Sequence, residues 1–254
     1  MKKWIRFWKA AGRYANSEVH KSMLKLAVFL GNPGPKYENN RHNAGRMLAV
    51  ALPFFREINW QNKYKGFYSC KDYSVVQAAV PEILTETFPE KIHFLVPQTF
   101  MNLCGESATA AASFYKIKID EIIVVYDEIE LPFGTLSLKF SGGLGGHNGL
   151  RSMKACFGSA DFWRLRIGLG RPDGRVPGKG GSDVGKDNGI AGWVLSDFTA
   201  AELEALTPVF ETGAQLLVRA LAAGPEKLLP EWAKKNCIPK PDPQIPIDIK
   251  AVTY

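Results

Sequence analysis

Long apolar runs are missing from these 254 residues. The longest stretches are as short as Ile122–Tyr126, far below the roughly 18 residues a membrane-spanning helix needs, so a spanning helix is excluded. Cysteine is scarce. Cys70, Cys104, Cys156 and Cys237 are widely spaced and form no CxxC pair, which excludes a zinc ribbon or a disulfide frame. They read as small buried hydrophobes in a reducing compartment. No Gly-Lys-Ser/Thr follows the glycine-rich stretch at 142–146, and no GxSxG occurs. These absences argue against a Walker A nucleotide site and a serine-hydrolase elbow.

Acids are lacking in one region. Residues 1–22 hold six Lys/Arg against Glu18 alone, with Trp4, Phe7, Trp8 and Ala11 at helical spacing. A targeting presequence, an arm contacting RNA or membrane, and an upstream start preceding Met23 all fit that pattern. Serine is too sparse for a typical transit peptide, so an ordinary extension is expected. Over the whole chain the composition, 46% hydrophobic and 22% charged, is that of a folded globular protein. The net charge of +7 is unevenly spread: residues 131–186 carry nine Lys/Arg against three Asp. Such an excess suits a phosphate-binding face, although acids from distant segments would neutralise a merely solvated one.

Periodicity orders the elements. Apolar or β-branched runs predict strands at 24–30, 75–80, 92–96, 122–126, 135–140 and 163–169. Helices are expected at 43–55, 106–115, 150–157 and from a capping box at Thr199–Glu202 to about 223, kinked or split at Pro208. Residues 171–188, with five Gly and two Pro, read as a long mobile loop. Strands interleaved with helices and no repeats give an α/β fold, a single three-layer domain. The expected boundaries are a basic extension over 1–22, one domain over 23–235 and a Pro-rich tail over 236–254.

Three polar stretches each follow a predicted strand, where ligands gather in open α/β sheets. Gly31–Gly45 presents Asn32, Tyr37, Arg41, His42 and Asn43. In Pro97–Gly105, Asn102 sits between Met101 and Leu103, either as a helix N-cap or as an amide for a substrate carbonyl. In Tyr126–Leu150, Asp127 directly follows a buried run, placed to hold an imidazole in one tautomer, and the glycines allow close backbone approach. A lone histidine near a helix start is more often a cap or packing residue; the amides around His42 are what raise its standing.

The blocks GNPGPKYENNRHNAG, PQTFMNLCG, YDEIELPFGTLSLK, GGLGGHNGLRSM and RLRIGLGRP stand in this order between residues 31 and 172, and in them the chain resembles, over about residues 24–235, the bacterial-type peptidyl-tRNA hydrolases. The resemblance implies a mixed sheet between helices and hydrolysis of the ester joining a peptide to the 3′-terminal ribose of tRNA. It also implies a cytoplasmic monomer without metal or other cofactor, with peptidyl-tRNA as partner and no membrane attachment. By its motifs, His42 is the base that activates water and Asp127 its orienting acid. Asn32 and Asn102 hold the peptide and the reacting carbonyl, and Asn148 positions the water. Met101 packs beside the peptide, Tyr37 belongs to the tRNA site, and Lys139 and Arg166 meet tRNA phosphates. Departures are small: Cys104 replaces a usual serine, and Ser137 stands where several relatives have a second lysine. The alternative on the same fold is a non-catalytic, splicing-factor-like RNA-binding protein, in which the His/Asp/Asn set should be eroded.

Overall fold

The computed structural model of the chain describes residues 23–83, 88–172 and 186–239. Eight strands form one mixed sheet in the order β2-β3-β4-β1-β5-β7-β6-β8. They are β1 (Leu26–Phe29), β2 (Gln61–Lys63), β3 (Gly66–Asp72), β4 (Lys91–Pro97), β5 (Ile122–Glu128), β6 (Thr135–Phe140), β7 (Trp163–Gly168) and β8 (Lys235–Asn236). The central four, β4-β1-β5-β7, are parallel, and the strands outside them pair antiparallel.

The strand pleat sorts the core into two layers. Ala27, Phe29, Ile123 and Val125 face α1 (Ala44–Val50), α2 (Tyr73–Ala79) and the long α6 (Ala200–Ala223). Leu26, Val28, Leu30, Val124 and Tyr126 face α3 (Cys104–Phe114) and α4 (Asn148–Phe157). Every residue of β1 is buried, as expected of a parallel strand covered on both faces. A helix α5 (Lys186–Val194) precedes α6, and a single turn α7 (Leu229–Trp232) leads into β8.

Several expectations change. Residues 73–79 are helical, although Val75 and Val76 suggested a strand. Tyr73, Val76 and Val80 are buried at helical spacing, and the Tyr73 hydroxyl donates to Ala222 O at 2.9 Å; docking on α6 overrides local β-propensity. The strand lies just before it, in β3, joined to β2 by Tyr64 and Lys65 with φ of 54° and 53°. That two-residue turn lacks the Gly or Asn that usually announces it. The helix expected over 43–55 is shorter, and α6 runs through Pro208 without splitting. Its capping box is present, Thr199 Oγ1 accepting from Glu202 N–H at 3.2 Å while Glu202 Oε2 accepts from Thr199 N–H at 2.8 Å. Of the cysteines only Cys104 is buried; Cys156 is exposed. Asn236 lies within β8, and Ile238 packs over Gly134. The predicted loop at 171–188 falls mostly outside the described residues, as do residues 1–22 and most of the tail.

One close approach positions the site. A Cβ on Gly45 would lie 2.4 Å from Val125 O and 2.7 Å from Leu30 O. Only glycine lets α1 rest directly on the backbone at the ends of β1 and β5, which brings the preceding turn, Arg41–Asn43, over the carboxyl edge of the sheet. Gly45→Ala should therefore destabilise the fold by about 1–3 kcal/mol, measured by urea denaturation; an unchanged midpoint would show that α1 can move away freely.

Candidate active site

β5 ends in Tyr126-Asp127-Glu128, and the strand's alternation turns the Asp127 side chain to the α1 side. There it is 1% exposed, and two imidazoles close on one of its oxygens. His42 Nδ1 lies 2.9 Å from Asp127 Oδ1 and His147 Nε2 lies 3.0 Å from the same atom. The two rings stand 4.8 Å apart. Asp127 Oδ2 is buried and accepts no hydrogen bond among the described residues.

The surrounding bonds fix the tautomers. His147 is the N-cap of α4, its Nδ1 accepting from Gly149 N–H at 3.0 Å and Leu150 N–H at 3.3 Å. Its proton therefore sits on Nε2 and is donated to Asp127. His42 donates Nδ1–H to the same carboxylate, which leaves its Nε2 lone pair as a base. Burial pulls the His42 pKa down, but the charge of Asp127 and the hydrogen bond to it outweigh burial, so the net shift is upward. Burial alone would raise the Asp127 carboxyl; His42 and His147 reverse this and hold it well below the usual carboxylate range. His42, Asp127 and His147 are also close enough to converge on a cation. Their separations are those of direct hydrogen bonds, and His147 Nδ1 is engaged by backbone N–H groups, so the arrangement fits a proton-handling triad better than a ligand set.

The carboxamides differ in setting. Asn32 is buried, and its Oδ1 accepts from Met101 N–H at 2.8 Å. Its backbone N–H donates to Asn43 Oδ1 at 2.7 Å, while Asn43 Nδ2 and Arg46 return bonds to Asn32 O. With Oδ1 so assigned, the Asn32 NH2 group remains a donor for a ligand. Asn102 is exposed in the turn Met101–Leu103 and does not cap α3, whose N-cap is Leu103. Asn148 is exposed at the first position of α4, with Oδ1 3.5 Å from Arg151. These two loops touch: a Cβ on Gly149 would be 2.6 Å from the Met101 sulfur, and Gly105 N–H donates to Ser152 Oγ at 2.9 Å. Tyr37 is half-buried, edge-on to the exposed Phe100 ring at 6.2 Å. Beside the Arg41–Asn43 turn a cleft of about 890 Å³, walled by Met47, Phe55, Trp60 and Phe210, reaches Asn32 and Asn43 but includes neither histidine of the triad.

Lys139 and Arg166 lie on neighbouring antiparallel strands, with Arg164 opposite Lys139 in register. Arg166 donates to Ser137 Oγ at 2.7 Å and stands 3.8 Å from Glu128. Burial, then Arg166 and Arg164, push the Lys139 pKa down while Glu128 partly opposes. Lys139 and Arg166 thus share Glu128, while Arg164, buried to 1% exposure, is committed to the carbonyls of Gly142, Gly143 and Ala160. The two outer cations outnumber their acid, which favours an anion. Arg166 pairs in register with Tyr126, whose ring stands 4.9 Å from His147, so this basic cluster adjoins the triad. His147 is the residue that sequence reasoning passed over. Its one signal is a histidine at the position where a helix opens out of a glycine-rich loop.

The family model described as peptidyl-tRNA hydrolase matches residues 26–240. A curated peptidyl-tRNA hydrolase of Treponema pallidum (strain Nichols) is 39% identical over 218 residues, covering 85% of this chain and 97% of that protein. One from Desulfitobacterium hafniense (strain Y51) is 38% identical over 208 residues, covering 81% and 97%. The crystal structure of peptidyl-tRNA hydrolase from Acinetobacter baumannii is similar with a TM-score of 0.60 at 28% identity, over 85% of this chain and 95% of that one.

The pKa argument has a direct check. In histidine NMR titrations His42 should titrate above the ordinary imidazole value of about 6.5. Asp127→Asn should bring it below that value, because burial then acts without its counter-charge. A His42 titration indifferent to Asp127 would contradict the pairing.

Proposed function

This chain belongs to the peptidyl-tRNA hydrolase family, and we propose that its His42–Asp127–His147 triad carries out the family's reaction. The protein is an enzyme that hydrolyses the ester between a peptide and the 3′-terminal ribose of tRNA, freeing the tRNA for reuse. The observation that carries the residue assignment is the 2.9 Å contact from His42 Nδ1 to a carboxylate already held by a second histidine.

In this reading His42 Nε2 takes a proton from water as the water oxygen attacks the ester carbonyl. The carbonyl π electrons move to oxygen, where the NH2 groups of Asn32 and Asn102 stabilise the developing charge. Asn148 orients the water. Collapse of the tetrahedral intermediate expels the ribose oxygen, which receives the proton from imidazolium Nε2–H. Asp127 stays ionised throughout, stabilising the imidazolium. General-base catalysis of this kind is worth about 10²–10⁴ in rate, and one oxyanion donor about 10²–10³. An ester needs no stronger nucleophile.

Lys139 and Arg166 are proposed to bind tRNA phosphate, a contact that recognises any tRNA without reading its sequence. Tyr37 is assigned to the tRNA side and Met101 to the peptide side. We also propose a cytoplasmic monomer: free thiols and a substrate produced by translation suit that compartment, and no helix of the described residues is long and apolar enough to cross a membrane. The organisation proposed is an extension over 1–22, a catalytic domain from 23 to 235 and a tail over 236–254. The splicing-factor-like alternative gains nothing from a site in which the whole His/Asp/Asn set is retained.

Two assays test the assignments, using a blocked aminoacyl-tRNA as substrate and its unblocked counterpart as control. His42→Ala should lower kcat by at least about 10²-fold while tRNA affinity is kept; wild-type turnover would remove His42 from its role. Charge reversal at both Lys139 and Arg166 should raise KM and flatten the slope of log KM against log salt by about two. An unchanged slope would place the phosphate site elsewhere.

A further inference from the structure

Arg41, the residue before His42, is a cation buried to 4% exposure with no part in the reaction just described. Its Nη2 donates to both carboxylate oxygens of Glu202, at 2.8 and 2.7 Å. Its Nη1 donates to Ser196 Oγ at 2.7 Å and to Asp197 O. The guanidinium lies 3.8 Å above the Trp193 ring and 5.3 Å from that of Phe198, and Trp193 Nε1 donates in turn to Gly170 O at 3.2 Å. Backbone bonds follow the same path: Arg41 N–H to Ser196 O and Phe198 N–H to Asn39 O, both at 3.0 Å. One side chain therefore joins the turn Arg41–Asn43, the end of α5 and the start of α6.

A three-residue 3-10 turn has too few internal hydrogen bonds to fix the side chains it carries. This one is anchored from both ends instead. Asn43 is tied to Asn32 on the β1 side, and Arg41 to the 193–202 corner. His42 lies between these anchors, and an error of about 1 Å in the position of a reacting group can cost about 10²-fold in rate. Glu202 takes one guanidinium nitrogen, Nη2, on both its oxygens, while Nη1 serves Ser196 and Asp197, a division that a single ammonium cannot reproduce.

We propose that Arg41 is a positioning residue for the hydrolysis, setting the reach of His42 to Asp127 by locking the Arg41–Asn43 turn to the Trp193–Glu202 corner. The proposal rests on His42 being the base. Lysine in its place keeps the charge but loses the fork and the stacking plane. Glu202→Gln keeps the shape and removes the charge of the partner.

The test uses the full chain and blocked aminoacyl-tRNA, with His42→Ala run alongside. Arg41→Lys should lower kcat by about 10–100-fold with KM changed by less than about twofold, in protein whose circular dichroism is that of the wild type. The downfield Nδ1–H proton resonance of His42 should broaden or vanish in the same variant. Guanidinium salt below denaturing concentration should return part of the kcat of Arg41→Ala and none of that of His42→Ala. A folded Arg41→Lys with wild-type kcat, or a kcat loss with the His42 resonance unaltered, would overturn the proposal. Should the Arg41 variants not fold, Glu202→Gln decides: a kcat loss with KM kept supports it and full activity overturns it. Wild-type turnover in His42→Ala would instead defeat the base assignment and leave the geometry of Arg41 untouched.

Discussion

Asp127 Oδ1 receives hydrogen bonds from two imidazoles, and most of the site can be traced outward from that shared atom. A carboxylate buried to 1% exposure would ordinarily be driven to its neutral form. Here the two N–H donors keep it ionised, and its charge in turn raises the proton affinity of His42. Because His147 is held from behind by two backbone N–H groups of α4, the tautomer of one histidine determines how the carboxylate is oriented for the other. The helix start, the carboxylate and the base form one hydrogen-bonded series. Perturbing α4 at its first turn would be felt at His42 Nε2 without any direct contact.

Charge is arranged in two separate places. The triad lies on the α1 side of the sheet end, closed in around the one buried negative charge of Asp127. Lys139, Arg164 and Arg166 project from the same parity of β6 and β7, on the side of Tyr126. Phosphate brought to Lys139 and Arg166, as proposed, would stay clear of the buried carboxylate of Asp127, which would repel it. Tyr126 and Glu128, alternate residues of one strand, stand between the two regions, so the strand pleat itself separates the cationic cluster from the triad.

Much of this was legible in the residues. The parallel centre of the sheet announced itself as apolar runs too short for buried helices, and His42 and Asp127 stood out because polar loops follow two of those runs. The capping box at Thr199 was readable because its partner lies three residues away. What could not be read depended on tertiary contact. The β2–β3 hairpin turns through Tyr64 and Lys65, whose left-handed backbone carries no sequence signature, and α2 is helical because Tyr73 reaches Ala222. His147 was overlooked because histidine is not among the usual N-caps; only the folded loop shows that its other nitrogen reaches Asp127. Asn102 and Asn148 are the reverse case. Their candidacy came from motif, and the structure leaves both exposed, near Met101 and Gly149, with no strong internal bond to reveal a role.

The place of β1 at the centre of the sheet has a kinetic side. It emerges first, yet its neighbours are β4 and β5, which end at residues 97 and 128. Both of its edges thus wait on distant segments, and closing such large loops slows assembly. With Glu202 also needed to seat Arg41, no fragment that stops before residue 202 holds every part of the site, so hydrolytic competence should arrive abruptly, only once that residue has been made.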